Sequence, residues 1–388
     1  MFFPKGEQTA QLLQAAAVFA VGFLARPVGA WLMGVYADRA GRKAALVASV
    51  ALMCLGSLAV AVLPGYAVIG PAAPIILTLA RLVQGLSVGG EYGASATYMS
   101  EMAGKARRGF FSSFQFVTLI GGQLCALGVL IALQHMLSRH QLDAWGWRIP
   151  FVIGALLAVV VFWIQSNLEE TGAFKAVDDG AKRLSVTLRL IREHPLETWM
   201  VFVLSSAGGL TFYCFTTYLQ KFLTNTAHFT ADAATQISAV SLVVYLLAVP
   251  FYGWLGDRVG RRALLVGSFG VGALAAWPIL SALARASDAA LALALACAAV
   301  VILAGYSAVN AVVKAELFPT PVRALGVSLP YALGNALFGG TAEYVALAFK
   351  QSGHESGFYI YVAVIEAAAC MVALRMRDTQ RLSLLVDD

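Results

Sequence analysis

Charge is scarce in this sequence. Of its 388 residues, 12% are Asp, Glu, Lys or Arg, while 60% are hydrophobic. Water-soluble globular chains carry about a quarter charged residues, so the shortage excludes a soluble domain of this size. Long polar stretches are scarce too. The longest lies between residues 168 and 196 and leaves no room for a sizeable domain outside the apolar runs. The five cysteines (Cys54, Cys125, Cys214, Cys297, Cys370) each fall in an apolar run, at spacings that match no metal motif. They read as small buried hydrophobes. Histidine is equally sparse, and its five copies lie near helix ends or in loops. Walker loops, paired metal ligands and Ser/His/Asp groupings are absent, so the sequence points to no enzyme, no cofactor and no ATP-driven step. The net charge of +6 sits in short loops between apolar runs, which is a membrane pattern and not a nucleic-acid one. The first apolar run is too long, and lacks the basic lead, for a cleavable signal peptide.

What is abundant is apolar sequence in runs of roughly 20 residues, enough for a helix to cross the hydrocarbon layer. Eleven spanning helices are predicted: 10–36, 44–64, 74–101, 110–137, 146–167, 197–221, 234–255, 263–284, 290–315, 324–348 and 356–376. The predicted organisation is a five-helix bundle over 1–167, a cytoplasmic linker over 168–196 and a six-helix bundle over 197–388. Basic residues fix the orientation. Arg39, Arg42 and Lys43, then Lys105, Arg107 and Arg108, the linker, Arg258, Arg261 and Arg262, Arg323 and the tail all share one side. That side is cytoplasmic by the positive-inside rule. The chain is expected in the bacterial inner membrane as a multi-pass protein.

The sequence repeats itself. GVYADRAGRK at 34–43 returns as GWLGDRVGRR at 253–262, and the interval from Glu101 to Arg108 returns between Glu316 and Arg323. Two halves of like topology, related by a parallel repeat, are one known transporter plan. Two helices precede the charged loop in the second half and one precedes it in the first. The repeat therefore predicts a twelve-helix design of which the first half's opening helix is missing here.

The loop pattern, once per half, resembles the signature of the major facilitator superfamily. RLVQGLSVGGEYGASATYMSE (81–101), WGWRIPF (145–151) and KAELFPTPVRALGV (314–327) resemble its metabolite:proton symporter family, whose members carry proline and betaine, citrate, shikimate or 2-oxoglutarate. SFQFVTLIGGQL (113–124), CFTTYLQKFLTNTA (214–227) and NALFGGTAEYVAL (335–347) resemble the 2-oxoglutarate branch. The resemblance implies an all-α membrane fold of two pseudo-symmetric bundles. It implies a secondary active transporter that takes up a dicarboxylate with protons by alternating access, as a monomer whose partners are the small-molecule substrate, protons and lipid. Two alternatives stay open: a proton symporter for another metabolite, and a truncated membrane protein that transports nothing.

Several residues are candidates for that work. Asp38, Arg39, Arg42 and Glu101 in the first half, and Asp257, Arg258, Arg261, Glu316 and Arg323 in the second, form either an inner gate or simple topology signals. Topology alone needs neither the Asp nor the Gly of the loops. Arg81 and Glu91 lie inside one span, where charge is expensive and normally faces a bundle interior. Arg81 suits a carboxylate, because its planar fork makes bidentate contacts, and Glu91 suits a proton; an inter-helix charge pair is the structural alternative for each. Arg26, before Pro27, either lines a cavity or supports a kink. Lys221, with Tyr213 nearby, resembles the 2-oxoglutarate branch and is paired here with Arg81 as the two cations of a dicarboxylate site, against the plainer reading that it snorkels to the interface. Gln115, Gln123 and Asn335 either bond substrate or tie helices together. Gly85, Gly89 and Gly93, at spacing four, allow close helix contact. Glu366 receives no role.

Overall fold

The computed structural model describes residues 8–171, 186–380 and 384. Helices dominate it: α1 (Gln8–Ala40), α2 (Arg42–Val62), α3 (Ala72–Met102), α4 (Arg108–Met136) and α5 (Ile149–Ser166) in the first half. The second half holds α6 (Pro195–Asn225), α7 (Ala231–Val259), α8 (Arg261–Arg285) and α9 (Ala289–Glu316). It continues with α10 (Arg323–Gly334), α11 (Ala342–Gln351) and α12 (Glu355–Arg375). Among the described residues, nine helices are long and apolar enough to cross a membrane. The other two expected spans are helical as well. One is α1, and the other is the path from α10 to α11, which a five-residue π-helical turn at Asn335–Gly339 divides. A matching π turn at Cys214–Tyr218 interrupts α6. Neither turn is written in hydrophobic periodicity, so both spans read as continuous in the sequence.

The repeated loops are single-glycine hinges. Gly41 separates α1 from α2 at φ 109°, and Gly260 separates α7 from α8 at φ 95°. Only glycine takes that backbone conformation without strain, so each loop reverses the chain in one residue. The charged side chains on either side are thereby held at fixed positions.

Within the first half, α1 lies directly on α3. A Cβ on Gly89 would come 2.0 Å from the Arg26 carbonyl oxygen, and one on Gly85 would come 2.2 Å from that of Gly22. The small-residue spacing thus makes the backbone contact it predicts. Gly93, one turn further on, touches Ser328 of α10, so the stripe continues across the junction of the halves. Two further contacts cross that junction symmetrically. Gly34 of α1 meets Leu325 and Ser328 of α10, and Gly253 of α7 meets Gly109 and Ser113 of α4.

The largest apolar core belongs to the second half, with Phe116 and Ile120 of α4 joined to it. Helix α6 is its centre: 72% of its most apolar stretch is buried, against 11% of the corresponding stretch along α4. This corrects one expectation. Cys214 on α6 is buried, but Cys125 on α4 is exposed and Cys54, Cys297 and Cys370 are intermediate. An apolar run in a membrane protein fits lipid as well as it fits a core, so hydrophobicity alone does not bury a thiol.

Replacing Gly89 by Leu should collide with backbone that cannot yield. We expect a loss of about 1–3 kcal/mol, read as a lowered melting temperature of the purified protein. Gly121→Leu, where a Cβ meets open space, should leave it within error.

Candidate functional site

Two sites emerge, a buried ion network at the basic-loop end and a cavity above it between the halves. The network begins at Asp38. Its two carboxylate oxygens accept hydrogen bonds from the backbone N–H groups of Ala324 and Leu325, at 3.0 and 2.9 Å. These belong to the first turn of α10 in the opposite half. Asp257 does the same in mirror arrangement, accepting from Gly109 at 2.8 Å and Phe110 at 2.9 Å in the first turn of α4. A helix N-terminus presents unpaired N–H groups and a partial positive charge. Each repeated loop therefore plugs its aspartate into a helix start across the junction.

Arginines complete the network. Arg42, fully buried, lies 3.3 Å from Asp38 and donates to Glu101 at 3.2 Å and to the Thr320 carbonyl at 2.9 Å. Arg323, equally buried, reaches across to Glu101 at 2.7 Å. Thr171 donates to the second Glu101 oxygen at 2.5 Å. In the other copy, Arg261 lies 3.5 Å from Asp257 and donates to Glu316. Arg39 and Arg258 point to the exterior, Arg258 stacking 4.0 Å over Trp254. Of the nine residues read as a gate, seven thus form the buried network and these two stand outside it. Glu170 adds a further contact, accepting from the backbone N–H groups of Arg42 and Lys43 at the start of α2, both at 3.1 Å.

Above the network lies a cavity of about 360 Å³. Glu91, Gln115, Tyr213 and Asn335 all line it, together with Arg26, Tyr92, Thr118 and Tyr331. Arg26 donates to the Tyr213 hydroxyl at 3.1 Å and covers the Phe23 ring at 3.6 Å. It joins the halves at the cavity wall, so the cavity reading of this arginine is the one its geometry fits. Glu91 is half-buried and has no cationic partner among the described residues. Gln115 accepts from Ser95 at 3.1 Å, and Asn335 donates to the Tyr331 carbonyl at 2.9 Å. Tyr213 and Asn335 stand where the two π turns begin, and Gly339 of one turn packs on the Tyr213 ring. Such turns rotate side chains off the regular helical face and recur at functional sites.

The expected pair of Arg81 and Lys221 is not brought together. Arg81 lines an adjoining pocket of about 270 Å³ that shares Arg26 and Val88 with the cavity. There it donates to Gln84 at 2.9 Å. Lys221 makes a 2.5 Å ion pair with Glu343 and is more than half exposed. The reason is distance along the helix: Lys221 stands eight residues beyond Tyr213, about 12 Å further along α6, where Glu343 pairs with it. Gln123 does not line the cavity. Glu366 is buried away from it, accepting from Thr211 and packed on Gly272. Sequence reading missed Tyr92 and Tyr331 as cavity walls, since tyrosines within spans carry no distinguishing signal.

Known proteins share this plan. A family model described as sugar (and other) transporter matches the chain twice, over residues 2–193 and 178–385. The chain belongs to that family of the major facilitator superfamily. It is a multi-pass membrane protein and a secondary active transporter. It is 49% identical to the alpha-ketoglutarate permease of Escherichia coli, over 97% of this chain and 86% of the permease. It is 31% identical to the citrate-proton symporter of Klebsiella pneumoniae, over 94% and 82%. Among solved structures, a proton:xylose symporter, XylE, bound to 6-bromo-6-deoxy-D-glucose, aligns with TM-score 0.82 at 17% identity. That alignment covers 98% of this chain and 90% of the other. The fold of a major facilitator is therefore shared across low identity.

The transporter's mirrored plugs make a local prediction. Asp38→Asn retains shape but offers one acceptor oxygen for two N–H donors and loses its charge. Amide exchange at Ala324 and Leu325 should speed up about tenfold, equivalent to about 1.4 kcal/mol, and Asp257→Asn should do the same at Gly109 and Phe110. Hydrogen-exchange mass spectrometry reads both. Unchanged protection in either variant would show that its aspartate does not hold the junction.

Proposed function

We propose that this transporter carries 2-oxoglutarate, or a dicarboxylate of that size, into the cell together with protons. The observation that carries the reading is the inter-half cavity, where an arginine and an unpaired carboxylate face one volume of about 360 Å³. The 49% identical permease supports the choice of substrate. Arg26 binds one substrate carboxylate, its guanidinium fork matching the two oxygens, while Tyr213, Gln115 and Asn335 supply hydrogen bonds to the rest. Glu91 carries the proton. Arg81, in the adjoining pocket, supports the position of α3 by holding Gln84, which donates to Ser57 of α2 at 3.1 Å, and takes substrate only if the two pockets merge. Lys221 and Glu343 close the far end of the second half as a surface pair.

The basic-loop end is the cytoplasmic one. Asp38, Arg42, Glu101 and Arg323, with Asp257, Arg261 and Glu316, hold it shut in this state, and Arg39 and Arg258 serve orientation. Alternating access then consists of releasing those contacts while the outer rim closes. The chain works as a monomer, needs no cofactor, does no enzymatic chemistry and binds no nucleic acid.

Uptake of labelled 2-oxoglutarate into right-side-out vesicles, with and without an imposed proton gradient, tests the reading. Gradient-dependent uptake that unlabelled 2-oxoglutarate suppresses better than citrate is the expected result. Failure of 2-oxoglutarate to enter from a well-expressed chain would overturn it. Two variants test the roles. Arg26→Gln should raise KM at least tenfold, since a charge-assisted hydrogen bond contributes about 1.5–3 kcal/mol. Glu91→Gln should abolish the response to the gradient while substrate counterflow continues. Retained gradient dependence would remove Glu91 from the proton path.

A further inference from the structure

One buried cation has no place in the site described so far. Lys314 lies on α9, 1% exposed, and among the described residues its ammonium has no hydrogen-bond partner. An isolated ammonium in an apolar surrounding is costly. Here it is held by ring faces alone. Its Nζ lies 4.3 Å from the centre of Tyr331, 5.5 Å from Tyr92 and 5.9 Å from Tyr306. Cation–π contacts of this kind hold a desolvated cation less firmly than a carboxylate partner would.

Two of these three rings are part of the cavity's own wall. Tyr92 and Tyr331 both line the cavity, and they stack on each other with centroids 3.5 Å apart and planes 6° from parallel. Tyr92 comes from α3 and Tyr331 from α10, so the stack bridges the two halves. Asn310, one turn before Lys314, donates to the Tyr92 hydroxyl at 2.6 Å and fixes that ring. Any movement that separates α3 from α10 at the network end must part this stack. Parting it uncovers Lys314 to the cavity.

We propose that Lys314 is a second, state-dependent ligand for a substrate carboxylate, covered while the network end is closed and offered to the anion when the halves separate there. The proposal rests on the dicarboxylate reading above. Arg26 serves one carboxylate in the closed state, and Lys314 serves the other once the Tyr92–Tyr331 stack opens. A ligand shifts an equilibrium only by its differential affinity for the two states. A cation that exists for the substrate in one state alone supplies that difference, and so lets bound anion, but not an empty cavity, favour opening.

The test compares two faces of the membrane. In right-side-out and inside-out vesicles, labelled 2-oxoglutarate counterflow gives KM at the outer and inner face for the unaltered chain, Lys314→Met and Lys314→Arg. Lys314→Met should leave the outer KM within twofold and raise the inner KM at least tenfold. It should also remove the preference for 2-oxoglutarate over a monocarboxylate of the same length at the inner face. Lys314→Arg should restore most of both. Met fills similar volume without charge, so the melting temperature of the purified Lys314→Met protein should hold or rise. A fall in melting temperature with both KM values moved equally would make Lys314 a packing residue and overturn the proposal. Unchanged KM at both faces would overturn it too, leaving the dicarboxylate reading intact. No 2-oxoglutarate counterflow by the unaltered chain would overturn both.

Discussion

The structure depends on an aspartate placed at the start of a helix that belongs to the other half. Asp38 and Asp257 each meet two backbone N–H groups across the junction. In water such a contact would contribute little, because solvent satisfies both partners. At a closed, apolar junction the helix start has no other acceptor for those donors, and an unmade hydrogen bond costs about 1–3 kcal/mol. The aspartate therefore stabilises the closed junction chiefly by removing a penalty. A buried carboxylate creates a penalty of its own, and Arg42 and Arg261 answer it. Glu101 and Glu316 then answer the arginines. The network has its size because each added charge requires another.

This chain of requirements makes the closed state switch-like. Glu101 receives Arg42 from its own half and Arg323 from the other. Separating the halves strips Arg323 from Glu101 and the α10 N–H groups from Asp38 together. Half-open arrangements would leave buried charges partly paired, the costliest condition for such groups. The same separation pulls Ser328 from Gly93 and Tyr331 from Tyr92, because all four contacts join α3 to α10 or α1 to α10. Cavity and network are thus mechanically one junction seen at two depths.

Much of this was legible in the sequence. Scarce charge and runs of apolar residues located the spans, and the helices fall within a few residues of them. The repeated loop announced two halves, and the pairing of Asp38 with Arg42 and Glu101 follows from residues that topology does not need. What could not be read is who meets whom across the junction. Arg323 follows Glu316 in sequence but bonds Glu101, because the halves exchange partners and sequence spacing carries information only within one helix or its neighbours. Arg26 is visible as a charge inside a span, yet its bond to Tyr213 joins residues 187 apart in the chain, which no periodicity marks. Lys221, two turns beyond Tyr213 on α6, pairs with Glu343 and does not line the cavity.

The energetics of transport set what the substrate must do to such a junction. A dianion moving inward against a negative-inside potential opposes roughly 2.3 kcal/mol per charge per 100 mV, so bound protons are needed to reduce the charge that crosses. Charge compensation inside the cavity is a separate demand. On the proposed reading Arg26 offsets one carboxylate and a protonated Glu91 adds no negative charge to it, but the second carboxylate meets only neutral donors while the network is closed. An anion with one carboxylate satisfied and one not is a ligand that prefers whichever state offers another cation. In this fold a buried cation, Lys314, lies behind the pair of rings that must part for the junction to open. Substrate charge and gate opening are then linked through position alone: the group that completes recognition is the one the closed gate hides.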